Sequence, residues 1–480
     1  MTDDRESALR AAIERASPVE LAQACHALRI GFRQVLGVPV PDDATARAHL
    51  TEVALDRLRA CLPGLSDDAC AQVVPIIEDR ALPIDVTDYR ARLAARRDQA
   101  RAGALASAWA SEPRNEELED TLAADLSRAE SYSVLADWLQ QHGHPRGELI
   151  ALHLQAERDP RVLDDADAHL ERHRDALLGP LANHYLVHDG SGRLAFTWQR
   201  GFITEAIVSH DDAAHPDLDV TLSDLLALVL GHPSARYLRK LTIGLAAYPW
   251  EPLDESIRTL ATHAPRHLVE LVIGDDRARP CDISACVIGD LAPLWAALPG
   301  LRSLHVRGAG FELGTIEHAA IEQAVFSTGG LSASAARAIA TARWPRLDRL
   351  DVWYGHPMYG AEASIEDVEA LLARDDLPEL VHLGIVDTAF SDAVGDRLAR
   401  SPLASQVREL DLSLGTMTAA GADALAAAAS NLRRVRVLDV SQNYLDGAAI
   451  EALRRAFPQV IADDQRELDD GNARYPAVGE

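Results

Sequence analysis

From Ile203 onward one apolar spacing keeps returning: an aliphatic residue, two variable residues, a second aliphatic residue, one variable residue and a third. It reads Leu238-Leu241-Ile243, Leu268-Leu271-Ile273, Leu301-Leu304-Val306, Leu347-Leu350-Val352, Leu380-Leu383-Ile385, Val407-Leu410-Leu412 and Val435-Leu438-Val440. Weaker copies stand at Ile203-Ala206-Val208 and Ile321-Ala324-Phe326. Their starts lie 20 to 35 residues apart, and self-similarity at such a period marks stacked repeats. The alternation puts the aliphatic positions on one face of a strand and the variable positions on the other. A unit this short cannot bury its own apolar face, so neighbouring units must stack to make a core.

Most units leave room for a helix after the strand. In the last copy, "VRVLDVSQNYLDGAAIEALRRAFPQ", Asn443 is placed to bond loop backbone inside the turn, and Leu445 and Leu453 carry the core into a helix. Phe390 and Leu398, then Met417 and Leu425, hold the same two positions in the preceding copies. The expected fold is α/β: a leucine-rich-repeat solenoid with parallel strands on the concave side and helices on the convex side, preceded by an all-α N-terminal region. A doubly wound sheet of unrelated βα units is the competing reading.

The first hundred residues read as Ala-, Leu- and Arg-rich helices, punctuated by Pro41-Asp42-Asp43 and Pro63-Gly64. Further on, Leu122, Leu126, Tyr132, Leu135, Trp138 and Leu139 form a helical apolar face, Gly143 ends that helix, and Pro145 opens another. The spacing predicts a helical hairpin, with Asp137 and Arg146 as an ion pair across it and Trp138 packed beneath. A metal site at His142, His144 and His153 lacks a nearby Cys or carboxylate at ligand spacing.

The words "LADWLQQHGHPRGELIALHLQ", "ERHRDALLGPL" and "FTWQRGFITEAIVS" resemble the repeat-companion domain, a short bacterial module found ahead of repeat arrays. The resemblance implies a mounting unit and brings no catalytic residues with it. The stretch "GGLSASAARAIATARWPRLDRLDVWYGHPMYGAEASIEDVEALL", with "VRELDLSLGTMTAAGADAL" and "RYPAVGE", resembles an uncharacterised family of bacterial leucine-rich-repeat proteins over about residues 300–480. The expected division is a helical domain over 1–105, a companion hairpin and capping unit over 106–200, and the repeat array with a C-terminal cap and acidic tail over 201–480.

A formal charge of -27 repels a phosphate backbone, so nucleic acid is not an expected partner. The start, "MTDDRESALR", lacks an apolar signal region, and no run of about 18 apolar residues occurs, so no membrane association is expected. The five cysteines include no CxxC pair, and Cys281 and Cys286 have no base to activate them, which points to a reducing cytoplasm. Gly329, Gly330 and Gly360 lack the context of a nucleotide loop, and no Walker or HExxH sequence occurs. His356 reads as a turn residue. No cofactor, metal or catalytic set is expected, and the chain reads as a non-enzyme.

The variable strand positions are the natural contact surface. One column runs Thr242, Val272, His305, Val325, Asp351, Gly384, Asp411 and Asp439; the column before it runs Lys240, Glu270, Ser303, Gln323, Arg349, His382, Glu409 and Val437. Asp351, Glu409, Asp411 and Asp439, with His382 and with Trp353 and Tyr354 just past one strand, make the later repeats acidic and aromatic. Lys240, Arg302 and His305 make the earlier ones basic. The expected function is a protein-protein interaction scaffold or recognition subunit that takes a basic or amphipathic segment of another protein. A plainly solvated row of aspartates is the competing reading of the column. The alternative function is an enzyme or effector whose N-terminal region acts and whose repeats select the target.

Overall fold

The computed structural model describes residues 2–41, 43–183, 194–209, 221–244, 252–275, 282–467 and 473–478. The chain divides into two compact units, Met1–Ala104 and Leu105–Glu480.

The first unit is helical, with helices Thr2–Arg15, Pro18–Arg29, Ala44–Cys61 and Asp67–Asp79 and the first turns of Thr87–Ser111. Ser17 and Glu20 close a reciprocal capping box, with Pro18 preset at the first helical position. Leu9, Ile13, Leu21, Leu50 and Leu58 are sealed in its core. The sequence "GFRQVLG", expected to prolong the second helix, instead forms a two-residue hairpin in which Gln34–Val35 pairs antiparallel with Val38–Pro39. Leu36 and Gly37 have φ of 52° and 76°, the pair of left-handed residues that a tight hairpin turn requires. The region is therefore helical with one small β-hairpin, a correction to the all-α expectation.

The second unit is organised by one 11-stranded sheet. Its strands are β1 (Leu194–Gln199), β2 (Phe202–Val208), β3 (Lys240–Gly244), β4 (Glu270–Asp275), β5 (Ser303–Arg307), β6 (Gln323–Ser327), β7 (Arg349–Gly355), β8 (His382–Thr388), β9 (Glu409–Asp411), β10 (Val437–Asp439) and β11 (Gln459–Ile461). Strand order in the sheet is strand order in the chain. β1 and β2 pair antiparallel, and every later pairing is parallel.

Register follows the leucine spacing. Ala206, Leu241, Leu271, Leu304, Ala324, Leu350, Leu383, Leu410, Leu438 and Val460 stand opposite one another from β2 to β11. The weak copies at Ile203 and Ile321 are thus full members of the series. Helices return the chain between most strands, and consecutive helices pack together. The 20-residue step between Leu301 and Ile321 is too short for one; strand Ala309–Glu312 takes its place and pairs with Val287–Asp290. Asn443 is fully buried: its Oδ1 accepts from Met417 N at 2.8 Å, while its Nδ2 donates to Leu412 O and Val440 O. One side chain therefore closes its own turn and ties it to the preceding one.

Ahead of the sheet lies the predicted hairpin, helices Ala129–Gln141 and Pro145–Ala156, joined through Gly143 at φ 69°. Gly147 is the contact point. A Cβ there would lie 2.6 Å from Ala136 O. The expected Asp137–Arg146 pair is absent: Asp137 is exposed, and Arg146 is fully buried against Glu112. Arg146 also donates to Gly201 O at 2.7 Å and Ser234 Oγ at 2.9 Å, and lies over the Phe202 ring. It thereby joins the hairpin to the β1–β2 turn and to the turn leading into β3. Trp138 stacks on His142 instead, with ring centroids 4.0 Å apart.

Two of the hairpin histidines act as backbone acceptors, while His142 Nδ1 donates to Trp138 O at 2.7 Å. His144 Nδ1 accepts from Arg146 N, and His153 Nδ1 accepts from Gly201 N at 2.9 Å. The first arrangement recurs where His232 Nδ1 accepts from Ser234 N and His356 Nδ1 from Met358 N. In all three the acceptor precedes a proline, which supplies no N–H and presets the first turn.

Candidate functional site

The centre of the solvent-side sheet face is a four-residue polar chain across β7, β8 and β9. Arg349 donates to Asp351 Oδ2 from both Nε and Nη2, each at 2.7 Å. The other carboxylate oxygen, Oδ1, meets His382 Nε2 at 2.7 Å, and His382 Nδ1 meets Glu409 Oε2 at 3.0 Å. Arg349 and Asp351 share one face because strand side chains alternate with period two. His382 is opposite Arg349, and Glu409 is opposite His382. Asp351 stands opposite Gly384, where an added Cβ would fall 2.1 Å from Asp351 Oδ1. The missing side chain is what lets the carboxylate lean across to the imidazole.

Asp351 is consequently buried, its side chain 6% exposed, which corrects its expected role as an open contact. His382 has both ring nitrogens on carboxylates, an arrangement that suits imidazolium with its two donors. Burial opposes its charge, but the bonds to Asp351 and Glu409 and the Asp351 charge outweigh it, and its pKa is raised. Among the described residues no group of three or more His, Cys, Asp and Glu side chains is arranged to hold a metal ion.

Farther along the face, Asp411 and Asp439 stand opposite each other in β9 and β10. Each spends Oδ1 on the backbone two residues ahead, Ser413 N at 2.9 Å and Ser441 N at 2.8 Å. That local turn bond accounts for aspartate at this position of the repeat. Their negative charges remain adjacent, since parallel strands lie about 4.8 Å apart. Burial raises the Asp411 pKa; the Ser413 bonds oppose this, and the charges of Asp439 and Asp351 add to it. Glu409 is the most open of these carboxylates, its side chain 56% exposed.

Trp353 is half-buried on this face, opposite Val386. Tyr354 is not on it. β7 runs through Gly355, so Tyr354 alternates to the inner side, where it is 3% exposed and packs edge-on against Phe390. Tyr354 is therefore a core residue, a correction to its expected place at the contact surface, and burial pushes its phenol pKa up.

The basic residues do not gather into one patch. Lys240 pairs with Glu270 at 2.6 Å, and His305 Nε2 meets Ser327 Oγ at 3.2 Å. Arg302 precedes β5 and lies 3.7 Å from Glu322. Sequence reasoning missed Arg349 as the partner of Asp351, although a cation two residues before an acid on a strand was the available signal.

No family model matches the chain, and no curated protein matches it. Among solved structures it is similar to a crystal structure of a Bacteroides fragilis protein, 21% identical over 66% of this chain and 86% of that one, with a TM-score of 0.50. An internalin of Listeria monocytogenes aligns at 14% identity over 55% of this chain and 82% of that one, with a TM-score of 0.23. The likeness to the Bacteroides protein is one of fold. No helix among the described residues is long and apolar enough to cross a membrane.

Proposed function

We propose that this is a bacterial leucine-rich-repeat solenoid that acts without catalysis, using the outer face of its strands to hold a basic or amphipathic segment of another protein. The observation that carries the reading is the in-register pair Asp411 and Asp439, flanked by exposed Glu409 and by half-buried Trp353. Adjacent half-buried carboxylates repel one another, and a guanidinium or ammonium group placed between them relieves that repulsion. Trp353 adds the flat apolar area that interface centres use. The non-catalytic part is supported by His382, whose two nitrogens are committed to Asp351 and Glu409. Buried thiols at Cys25 and Cys70 fit a reducing cytoplasm.

Selection of a displayed random-peptide library on the full chain tests this. Enrichment of peptides combining Arg or Lys with an aromatic residue is expected, with binding that weakens in salt and is lost in Glu409→Lys/Asp439→Lys. Equal binding by that variant, with an unchanged melting curve, would overturn the reading.

A further inference from the structure

Along the rim beyond the C-terminal ends of β7 to β10, residues 473–478 lie across consecutive repeats without joining the sheet. Every backbone N–H available from Tyr475 to Val478 is used. Tyr475 N donates to the Tyr444 hydroxyl at 3.1 Å, Ala477 N to Leu414 O at 2.6 Å, and Val478 N to Asp387 Oδ1 at 2.9 Å. Pro476, which has no N–H, is buried. The Arg474 guanidinium donates to Asp392 Oδ2 at 3.0 Å and Thr416 O at 2.9 Å. The Tyr475 ring is 5.4 Å from that of His356, and the Tyr444 hydroxyl returns a bond to Tyr475 O.

The segment does not cap the sheet: it bonds to the end of β8 and to the turns after β9 and β10, and among the described residues it forms no strand pairing with β11, the end strand. The receiving surface is also unusual by itself. The φ of 55° at Asp387 is the regular turn conformation that Leu414 and Gln442 repeat in the next two units, but Asp387 is also fully buried, and its Oδ2 has no hydrogen-bond partner among the described residues. An unmet buried acceptor carries a cost, and such groups gather at ligand-holding positions.

We propose that the rim groove formed by His356, Asp387, Asp392, Thr416 and Tyr444 is a binding site for an extended partner segment of the type Arg-aromatic-Pro-small-aliphatic, held in check by the resident Arg474–Val478. The groove supplies acceptors for the backbone N–H groups of an extended segment, which gives affinity, and Asp392 and the buried seat of Pro476 give selectivity. The resident segment competes at high effective concentration, so an incoming segment must outbind it or arrive when it is displaced.

The test is a fluorescence-anisotropy titration with a labelled peptide spanning residues 472–480. The receptor is the full chain carrying Arg474→Asp, which turns the resident segment against Asp392. Saturable binding to that variant is expected. Binding should weaken by roughly tenfold or more in the native chain, for a peptide carrying the same Arg→Asp change, and when Asp392→Lys is added to the receptor. A folded Arg474→Asp chain that binds no better than the native chain overturns the proposal. Hydrogen exchange on the native chain decides independently of any variant. Ala477 and Val478 amides that exchange by local opening, far faster than the Leu410 and Leu438 amides, support a displaceable segment. Exchange only with global unfolding makes it a fixed strap and ends the proposal.

Discussion

Arg146 meets Glu112 through two contacts, Nε to Oε1 at 3.1 Å and Nη2 to Oε2 at 2.8 Å, and both side chains are all but sealed from water. Arg236 bonds the same carboxylate. Arg146→Met keeps most of the volume but leaves a buried carboxylate short of one cation and Gly201 O without its donor. The expected loss is about 3–5 kcal/mol, read from urea midpoints at neutral pH. A change under about 1 kcal/mol, the scale of a surface pair, would show that Arg146 does not hold the hairpin to the sheet.

Acid should loosen this region in two stages. His144, His153 and His232 are pushed down to about 4 by burial, in the first and last with help from Arg146. A folded pKa below the unfolded value of about 6.5 means stability complete above about 6.5 and lost as pH falls through about 4. For Glu112 burial raises the pKa, but Arg146 and Arg236 overcome it and bring it to about 2, so its contribution persists above about 4.5 and fails only near 2. The melting temperature is expected to fall between pH 6.5 and pH 4. His153→Asn, which keeps an acceptor for Gly201 N without titrating, is expected to reduce that fall, and an identical pH profile would refute the assignment.

His382 has the opposite sign. Its folded pKa is raised, so its contribution is complete below about 6.5 and is lost as pH rises through the raised value. His382→Gln is expected to cost about 1.5–3 kcal/mol at pH 6, the scale of hydrogen bonds to charged groups, and less at pH 9. Paired denaturation curves at the two pH values measure the gap. A gap that does not change would mean that the imidazole is held neutral.

Gly384→Ala tests the lean of Asp351. The new methyl would occupy the space of Oδ1, so either the carboxylate or the strand must move, at about 1–3 kcal/mol. The His382 ring resonances, followed against pH, are expected to titrate lower than in the native chain. A full stability loss with an unchanged His382 titration would locate the strain elsewhere.

The strand series was legible because period and register come from the same residues: Leu241, Leu271 and Leu304 fall opposite one another where their spacing puts them. Even Ala324, apolar but small, keeps its place. Less visible was how far a strand runs, and one extra pair of residues in β7 decided that Tyr354 faces inward. Asp351 read as a contact because nothing local reveals that a glycine one strand over makes room for its carboxylate. The Arg146 partner was hidden by distance, since Glu112 lies 34 positions earlier and outside the hairpin. The His-Pro pairs at 144, 232 and 356 were readable as caps from local chemistry alone.

The strictly sequential strand order has a mechanical consequence. Each interior strand borders only its predecessor and successor, so tension along the chain is borne by one ladder at a time, and the sheet should yield by peeling from an end. Of the two ends, the one that begins with β1 and β2 is cross-tied through Gly201 and Arg146, whereas β11 contributes a three-residue strand. Under force the last repeats should part first, as soon as the Arg474–Val478 segment bonded across them lets go, and the helical hairpin should be the last anchor to yield.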